Sequence, residues 1–397
     1  MRTTLLIITS LFIFQCAAQS WFQLGDFPGI ERDDGTSFTI GDTTYCGTGV
    51  VPFYTLRDFY ALNMQNDTWL TVAPLPQGQQ RQYASGFASK THGYMLAGIS
   101  DTEFLNDLWE YDPKTNQWSA KTALPSTERG GAASFVIDNI AYIIGGKTDS
   151  LAAISEVWAY DISLDQWEQK NDFPFGARWR SGATASQDKG YLIFGLDDSL
   201  NYHSELYEYT PQNDTWVKIS EFPEKVRNYT PLHFIDNELF FIGGMDSLGN
   251  YYNETWSYEI QTDLWIKLVS IPSQGRRAGM SFHTENALYY TTGLTPNGRI
   301  TETWKLENPT SIEENQLGSS FKIYPNPSSE TITLEVPLFS SISQFYYSFY
   351  DSKGMLIQKA AIQLLKTSVD ISSLPAGLYF VLLNSENERA VKKVVKP

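Results

Sequence analysis

The chain has 397 residues, 42% of them hydrophobic and 14% aromatic, which is enough to bury a large core. Its formal charge is -16, and the excess is uneven: residues 19–320 carry 20 basic and 39 acidic side chains, whereas residues 321–397 carry 8 and 6. An acidic body with no basic stripe repels a phosphate backbone, so nucleic acid is excluded as a partner.

At the N-terminus Arg2 precedes an apolar run from Leu5 to Phe14, followed by the small residues Cys16, Ala17 and Ala18. This order predicts a secretory signal peptide over 1–18 that is too short to span a membrane, and no later stretch is long and apolar enough to do so. Removal of that segment leaves Cys46 as the single cysteine of residues 19–397, so no intramolecular disulfide is expected.

A fixed interval organises the next 290 or so residues. Trp69, Trp118, Trp167, Trp216 and Trp265 stand 49 apart, and Trp21 lies 48 before the first of them. A period of this length is the signature of a repeat architecture. After each tryptophan comes an apolar-proline pair (Phe27-Pro28, Leu75-Pro76, Leu124-Pro125, Phe173-Pro174, Phe222-Pro223, Ile271-Pro272), then an arginine: Arg32, Arg81, Arg129, Arg178, Arg227 and Arg276. Small and apolar residues follow, then a turn such as Asp138-Asn139 or Asp236-Asn237, which is hairpin chemistry. Next come an aromatic (Tyr45, Tyr94, Tyr142, Tyr191, Phe240, Tyr289) and a glycine, doubled at Gly145-Gly146 and Gly243-Gly244. A loop then leads to an acid two residues before another aromatic: Asp58, Asp107, Glu156, Glu205, Glu254 and Glu302. Each unit therefore predicts four short antiparallel strands, a, b, c and d.

The doubled glycine, the spaced aromatic and the tryptophan of strand d resemble the kelch repeat, over residues 20–306 in six units. The resemblance implies an all-β fold, a six-bladed kelch β-propeller. The first unit opens on a d-type strand at Trp21 and the last stops at a c-type strand at Trp304, so the propeller is expected to be closed by the N-terminal strand.

Residues 307–320 are polar and aperiodic and read as a linker. Beyond them stand Tyr324-Pro325-Asn326-Pro327, the alternating Thr331-Ile332-Thr333-Leu334, Leu374-Pro375-Ala376-Gly377-Leu378-Tyr379 and a basic end at Lys392-Lys393. This order resembles the type A C-terminal sorting domain of the Bacteroidota type IX secretion system. It implies a small β-sandwich over 321–397 that engages the type IX secretion machinery and delivers a secreted or cell-surface protein. The expected organisation is thus a signal peptide (1–18), a repeat domain (19–306), a linker (307–320) and a sorting domain (321–397).

The six arginines and six acids fall on one face, because strands a and c run in the same direction. Two readings stay open: blade-locking ion pairs, or arginines that grip an acidic ligand through charge-assisted hydrogen bonds, as the kelch resemblance implies. Departures from the rhythm are separate ligand candidates: Trp179 and Arg180 after Arg178, Arg277 after Arg276, and the loop residues Tyr202, His203, Tyr251 and Tyr252. No metal site and no cofactor are expected, because the four histidines have no ligand spacing. Cys46, beside Tyr45, reads as a packed thiol rather than part of a Tyr-Cys radical centre of the kind some kelch oxidases carry. The leading expectation is a non-catalytic module binding a protein or glycan on the arginine face. The alternatives are a sialic acid mutarotase (N-acetylneuraminate epimerase)-like enzyme, for which an acid/base pair and an arginine for the substrate carboxylate are required, and a structural surface component.

Overall fold

The computed structural model describes residues 20–309, 321–336, 345–351, 355–362, 364–384 and 389–397. The signal peptide expected over 1–18 and most of the expected linker lie outside the described residues. The described chain divides into two compact units, one holding residues 20–309 and the other those from 321 onwards.

In the first unit each repeat forms one four-stranded antiparallel sheet. The first sheet takes Thr36–Ile40, Thr43–Gly47, Phe59–Asn63 and Thr68–Val72 in order, and the second Ser85–Ala88, Gly93–Ile99, Phe104–Asp112 and Gln117–Lys121. The third is Ala133–Ile137, Ile140–Ile144, Val157–Asp161 and Gln166–Gln169; the fourth Gly182–Ala185, Gly190–Ile193, Glu205–Thr210 and Thr215–Glu221. The fifth is Leu232–Ile235, Glu238–Ile242, Thr255–Glu259 and Leu264–Lys267. The sixth joins Met280–Thr284, Ala287–Thr291 and Thr303–Glu307 to Trp21–Gln23, with Trp21 opposite Leu306.

The expectation of a closed propeller is corrected here. Among the described residues no hydrogen-bonded sheet is closed into a barrel or propeller; the repeat ladders are six separate, open, four-stranded sheets, and the first strands of neighbouring repeats pack beside one another without pairing. Side chains and single backbone bonds, rather than a continuous ladder, therefore join the units.

The 49-residue period follows from those joints. Trp69 Nε1 donates to Gly25 O (3.2 Å), Trp118 to Ala73 O (3.0 Å), Trp167 to Thr122 O (2.8 Å), Trp265 to Ser220 Oγ (3.0 Å) and Trp21 to Val269 O (3.0 Å). Each bond reaches from a last strand to the preceding unit, so moving one tryptophan by a residue would aim its N–H away from the acceptor. Two residues before Trp118, Trp167 and Trp216, Asn116, Asp165 and Asp214 adopt left-handed φ (54°, 55° and 51°) and accept a backbone N–H of the preceding unit. The glycine ending the second strand makes a further joint: the N–H groups of Gly49, Gly98, Gly146, Gly244 and Gly293 donate to the carbonyls of Arg81, Arg129, Arg178, Arg276 and Arg32. At Gly145 a side chain would meet Arg178 O at 2.1 Å, which is why that glycine accompanies the joint.

The second unit has a three-stranded sheet (Lys322–Tyr324, Thr331–Glu335, Lys366–Asp370) and a four-stranded sheet ordered Leu356–Ala361, Tyr346–Asp351, Gly377–Asn384, Arg389–Lys396. Ile332, Leu334 and Val369 from the first share one core with Phe349, Val381 and Val394 from the second. Lys396 Nζ is buried and donates to the carbonyls of Ile371, Ser372 and Leu374 at 2.6, 2.7 and 2.5 Å, so its charge is fully met by backbone.

Candidate functional site

The six recurring arginines are among the most buried side chains of the repeat unit. Arg32 grips Asp58 with two hydrogen bonds (2.6 and 2.8 Å) and Arg81 grips Asp107 (2.5 and 2.9 Å). Arg129 meets Glu156 at 2.6 Å, Arg227 meets Glu254 at 3.0 Å and Arg276 meets Glu302 at 2.6 Å. Trp109, Trp158, Trp256 and Trp304 each donate an indole N–H to the acid two residues earlier, which accounts for the acid-aromatic spacing. Arg178 differs: it donates to Ala177 O (2.8 Å), while Glu205 lies 3.4 Å from His203 Nδ1. The arginines and acids thus meet one another in five units.

The loop candidates are also engaged locally. Tyr252 donates to Asp246 Oδ2 at 2.8 Å and its ring lies 3.9 Å from the Arg227 guanidinium; Tyr202 reaches Asp246 O at 3.4 Å, His203 Nε2 lies 3.2 Å from Asp197 Oδ2, and Tyr251 bridges to Met245.

A different column of the repeat lines a cavity of about 490 Å³ framed by the first strands. Two residues after each buried arginine stand Asp34, Tyr83, Gly131, Arg180, Tyr229 and Ala278, all with left-handed φ between 54° and 66°. That conformation turns each backbone towards its neighbour: Asp34 N–H donates to Ala278 O, Tyr83 to Asp34 O, Gly131 to Tyr83 O and Arg180 to Gly131 O. The backbone is repetitive here, but the side chains are not, and they gather an asymmetric group of charges.

Arg180 Nη2 donates to the Tyr83 hydroxyl at 2.6 Å, and the Tyr83 and Tyr229 hydroxyls are 3.2 Å apart. The Arg180 guanidinium stacks 3.6 Å from the Trp179 ring and 4.0 Å from the Tyr229 ring, and the Arg277 guanidinium lies 4.4 Å from that same Tyr229 ring. Arg277 is 3.4 Å from Asp33 and 3.8 Å from Asp34, and Arg299 donates to Asp33 at 2.6 Å. Asp34 Oδ1, Arg180 Nε and both polar atoms of the Asn228 side chain are buried with no hydrogen-bond partner among the described residues. Burial, and then the neighbouring Asp33 carboxylate, push the Asp34 carboxyl up to about 7, against the opposing pull of Arg277, Arg180 and the Tyr83 hydroxyl. Burial also raises Tyr83, and raises Tyr229 to about 12, so both hydroxyls keep their protons at neutral pH.

Trp179, Arg180 and Arg277 were legible as departures from the rhythm. Asp33, Asp34, Tyr83, Tyr229 and Arg299 were not singled out. The signal for the first four lay in the columns one and two residues after each arginine, which have no consensus amid a regular repeat.

Among the described residues no group of three or more His, Cys, Asp or Glu is placed to hold a metal ion. Two histidines 50 residues apart, His233 and His283, do meet in the cavity wall. Burial drives both below their ordinary range, His283 to about 4. Cys46 is wholly buried, and burial raises its thiol despite the nearby Arg32. Folded protein beginning at Gln19 is therefore expected to leave Cys46 unlabelled by an aromatic disulfide reagent and to release its one thiol on denaturation; rapid labelling without denaturant would contradict this burial.

Residues 6–195 match the family model described as the KLHDC2/KLHL20/DRC7 Kelch-repeats domain, and residues 322–397 match the secretion system C-terminal sorting domain. The chain is 30% identical over 148 residues to the N-acetylneuraminate epimerase of Pasteurella multocida, covering 35% of this chain and 38% of that protein. It is 30% identical over 124 residues to the N-acetylneuraminate epimerase of Shigella sonnei, covering 30% and 32%. The chain thus spans about a third of the length of the curated relatives it matches. The solved structure titled "Structure of YjhT" superposes with a TM-score of 0.61 at 21% identity, over 70% of this chain and 96% of that one, a likeness of fold. The repeated match to epimerases overturns the expectation of a non-catalytic binding module. One chain thus joins a kelch-repeat domain to a C-terminal secretion-system sorting domain.

Proposed function

We propose that the repeat unit interconverts the anomers of a carboxylated sugar of the N-acetylneuraminate class at the Asp34 end of its cavity. The observation that carries this reading is a buried carboxyl poised near neutrality beside two guanidiniums, Arg180 and Arg277, that the repeat's own ion pairs do not use. A volume of about 490 Å³ suits a small molecule.

In this scheme Arg180 and Arg277 hold the sugar carboxylate. Asp34 removes the proton of the anomeric hydroxyl as the bond between the anomeric carbon and the ring oxygen breaks. The ring oxygen takes a proton from a tyrosine hydroxyl, Tyr83 or Tyr229, giving the open-chain ketone. Rotation about the adjacent carbon–carbon bond and the reverse proton transfers close the other anomer, so both residues return to their starting states. A carboxyl near pH 7 serves both directions, as general acid–base chemistry requires. The 322–397 match supports export through the type IX machinery to the cell surface or medium, where such a sugar would be met outside the cell.

The test is the equilibration of a freshly dissolved single anomer of N-acetylneuraminate, followed by NMR. Charge-assisted hydrogen bonds contribute about 1.5–3 kcal/mol, so Arg180→Ala is expected to raise KM roughly 10- to 100-fold. The methyl ester lacks the carboxylate charge and should lose little further rate in the variant. Equal losses for acid and ester would remove Arg180 from carboxylate binding.

A further inference from the structure

His233 occupies a position that is not built for a histidine. Counted six residues from the buried arginine, the corresponding residues are Phe38, Phe87, Phe135 and Phe282 in four other units, each packed between neighbouring sheets. His233 is equally buried, at 6% exposure, and a polar ring there is tolerated only when its nitrogens are partnered. Both are: Nε2 lies 2.7 Å from Ser281 Oγ, and Nδ1 lies 3.0 Å from Nδ1 of His283.

The direction of these bonds follows from the end of the chain. Ser281 Oγ is also 2.7 Å from the carbonyl oxygen of Tyr289, which can only accept. The single serine proton therefore goes to Tyr289, and Ser281 Oγ accepts the Nε2 proton of His233. With Nε2 protonated, the Nδ1 of neutral His233 is a bare lone pair, and the proton in the Nδ1···Nδ1 contact belongs to His283. A ring whose far N–H is anchored on a fixed acceptor, with the other nitrogen free, is how proteins orient a metal-binding histidine.

We propose that His233 and His283 form a binding site, through their two Nδ1 atoms, for a late first-row dication of the Cu(II) class in the cavity wall. On binding, the His283 proton moves from Nδ1 to Nε2 of the same ring, so both rings stay neutral and no oxidation is involved. With metal–nitrogen bonds of about 2.0–2.1 Å, nitrogens 3.0 Å apart subtend roughly 95° at the metal, whereas a tetrahedral ion needs about 3.3 Å. Adjacent corners at nearly a right angle are the geometry of tetragonal Cu(II), which also stands highest in affinity for imidazole among these dications. His283 is only half-buried and lines the cavity, so an ion reaches the pair from there and water completes its coordination. The site uses none of the residues of the Asp34 cluster, though both line the same cavity, and it does not rest on the sugar reading.

The experiment is a titration of the full chain with Cu(II) alone, read by calorimetry and by electron paramagnetic resonance. The expected result is one site per chain of micromolar affinity with hyperfine structure from two imidazole nitrogens. His233→Phe, the residue of four sister units, should weaken that site at least tenfold while leaving the melting temperature and the anomer exchange rate unchanged. His283→Gln, at a half-buried position, repeats the test should the first variant fold poorly. Unchanged Cu(II) affinity and stoichiometry in a folded variant, or a spectrum without two imidazole nitrogens in the wild type, would overturn the proposal.

Discussion

Asp34→Asn is expected to slow anomer exchange by about 10²- to 10⁴-fold, the usual contribution of one positioned acid–base group. The substitution keeps the shape and one hydrogen-bonding oxygen but removes the proton transfer. In the wild type the rate should rise with pH through about 7, as burial and Asp33 place the Asp34 titration there, and then level off. Stability runs the other way. The folded carboxyl binds its proton more tightly than the unfolded one, whose ordinary value is 3.8. Between the two values the folded state holds more protons, so stability from this group falls as pH rises and is lowest above about 7. The variant should therefore melt no lower than the wild type at pH 8 while being nearly inactive. A variant that loses stability and activity together would make Asp34 a structural residue.

Arg81→Met is expected to have the largest effect on stability. Arg81 is fully buried, and its removal takes both guanidinium bonds from Asp107, leaving it the Trp109 indole, and strands the Gln79 and Ala97 carbonyls. Breaking a buried ion pair from one side costs about 3–5 kcal/mol, and in a domain of this size that lowers the melting temperature by roughly 10 °C. Arg180→Met, by contrast, removes a guanidinium held by aromatic faces and one tyrosine hydroxyl, with a smaller expected loss of stability and a larger loss of substrate binding. Thermal melting of the two variants side by side separates arginines that lock the units from arginines that meet the substrate. Equal melting temperatures for the Arg81 variant and the wild type would contradict the locking role.

What could be read before the structure was periodic, because each repeated residue answers a repeated joint. Trp118 and Trp167 recur because each indole N–H must reach a carbonyl of the preceding unit, and Asp107 and Glu156 recur because each must meet a buried arginine and an indole. The period placed the strands well, but it carries no direct statement of how units join. The expected closed propeller had to be corrected to separate open sheets linked by such side-chain bonds. The charged cluster was half legible: Arg180 and Arg277 break the rhythm visibly, whereas Asp34, Tyr83 and Tyr229 lie in a column that varies freely and so leaves no pattern. Their importance arises from a left-handed backbone turn that brings residues roughly 50 and 150 positions apart to one point. His233 and His283 show no ligand spacing in the sequence, because spacing along a strand cannot register a pair one whole repeat apart.

Magnetisation transfer between the anomers of N-acetylneuraminate at pH 8, with micromolar wild-type protein, tests the central claim most directly. The account predicts exchange well above the buffer rate that disappears in Asp34→Asn. Exchange at the buffer rate with the folded wild-type protein would contradict it.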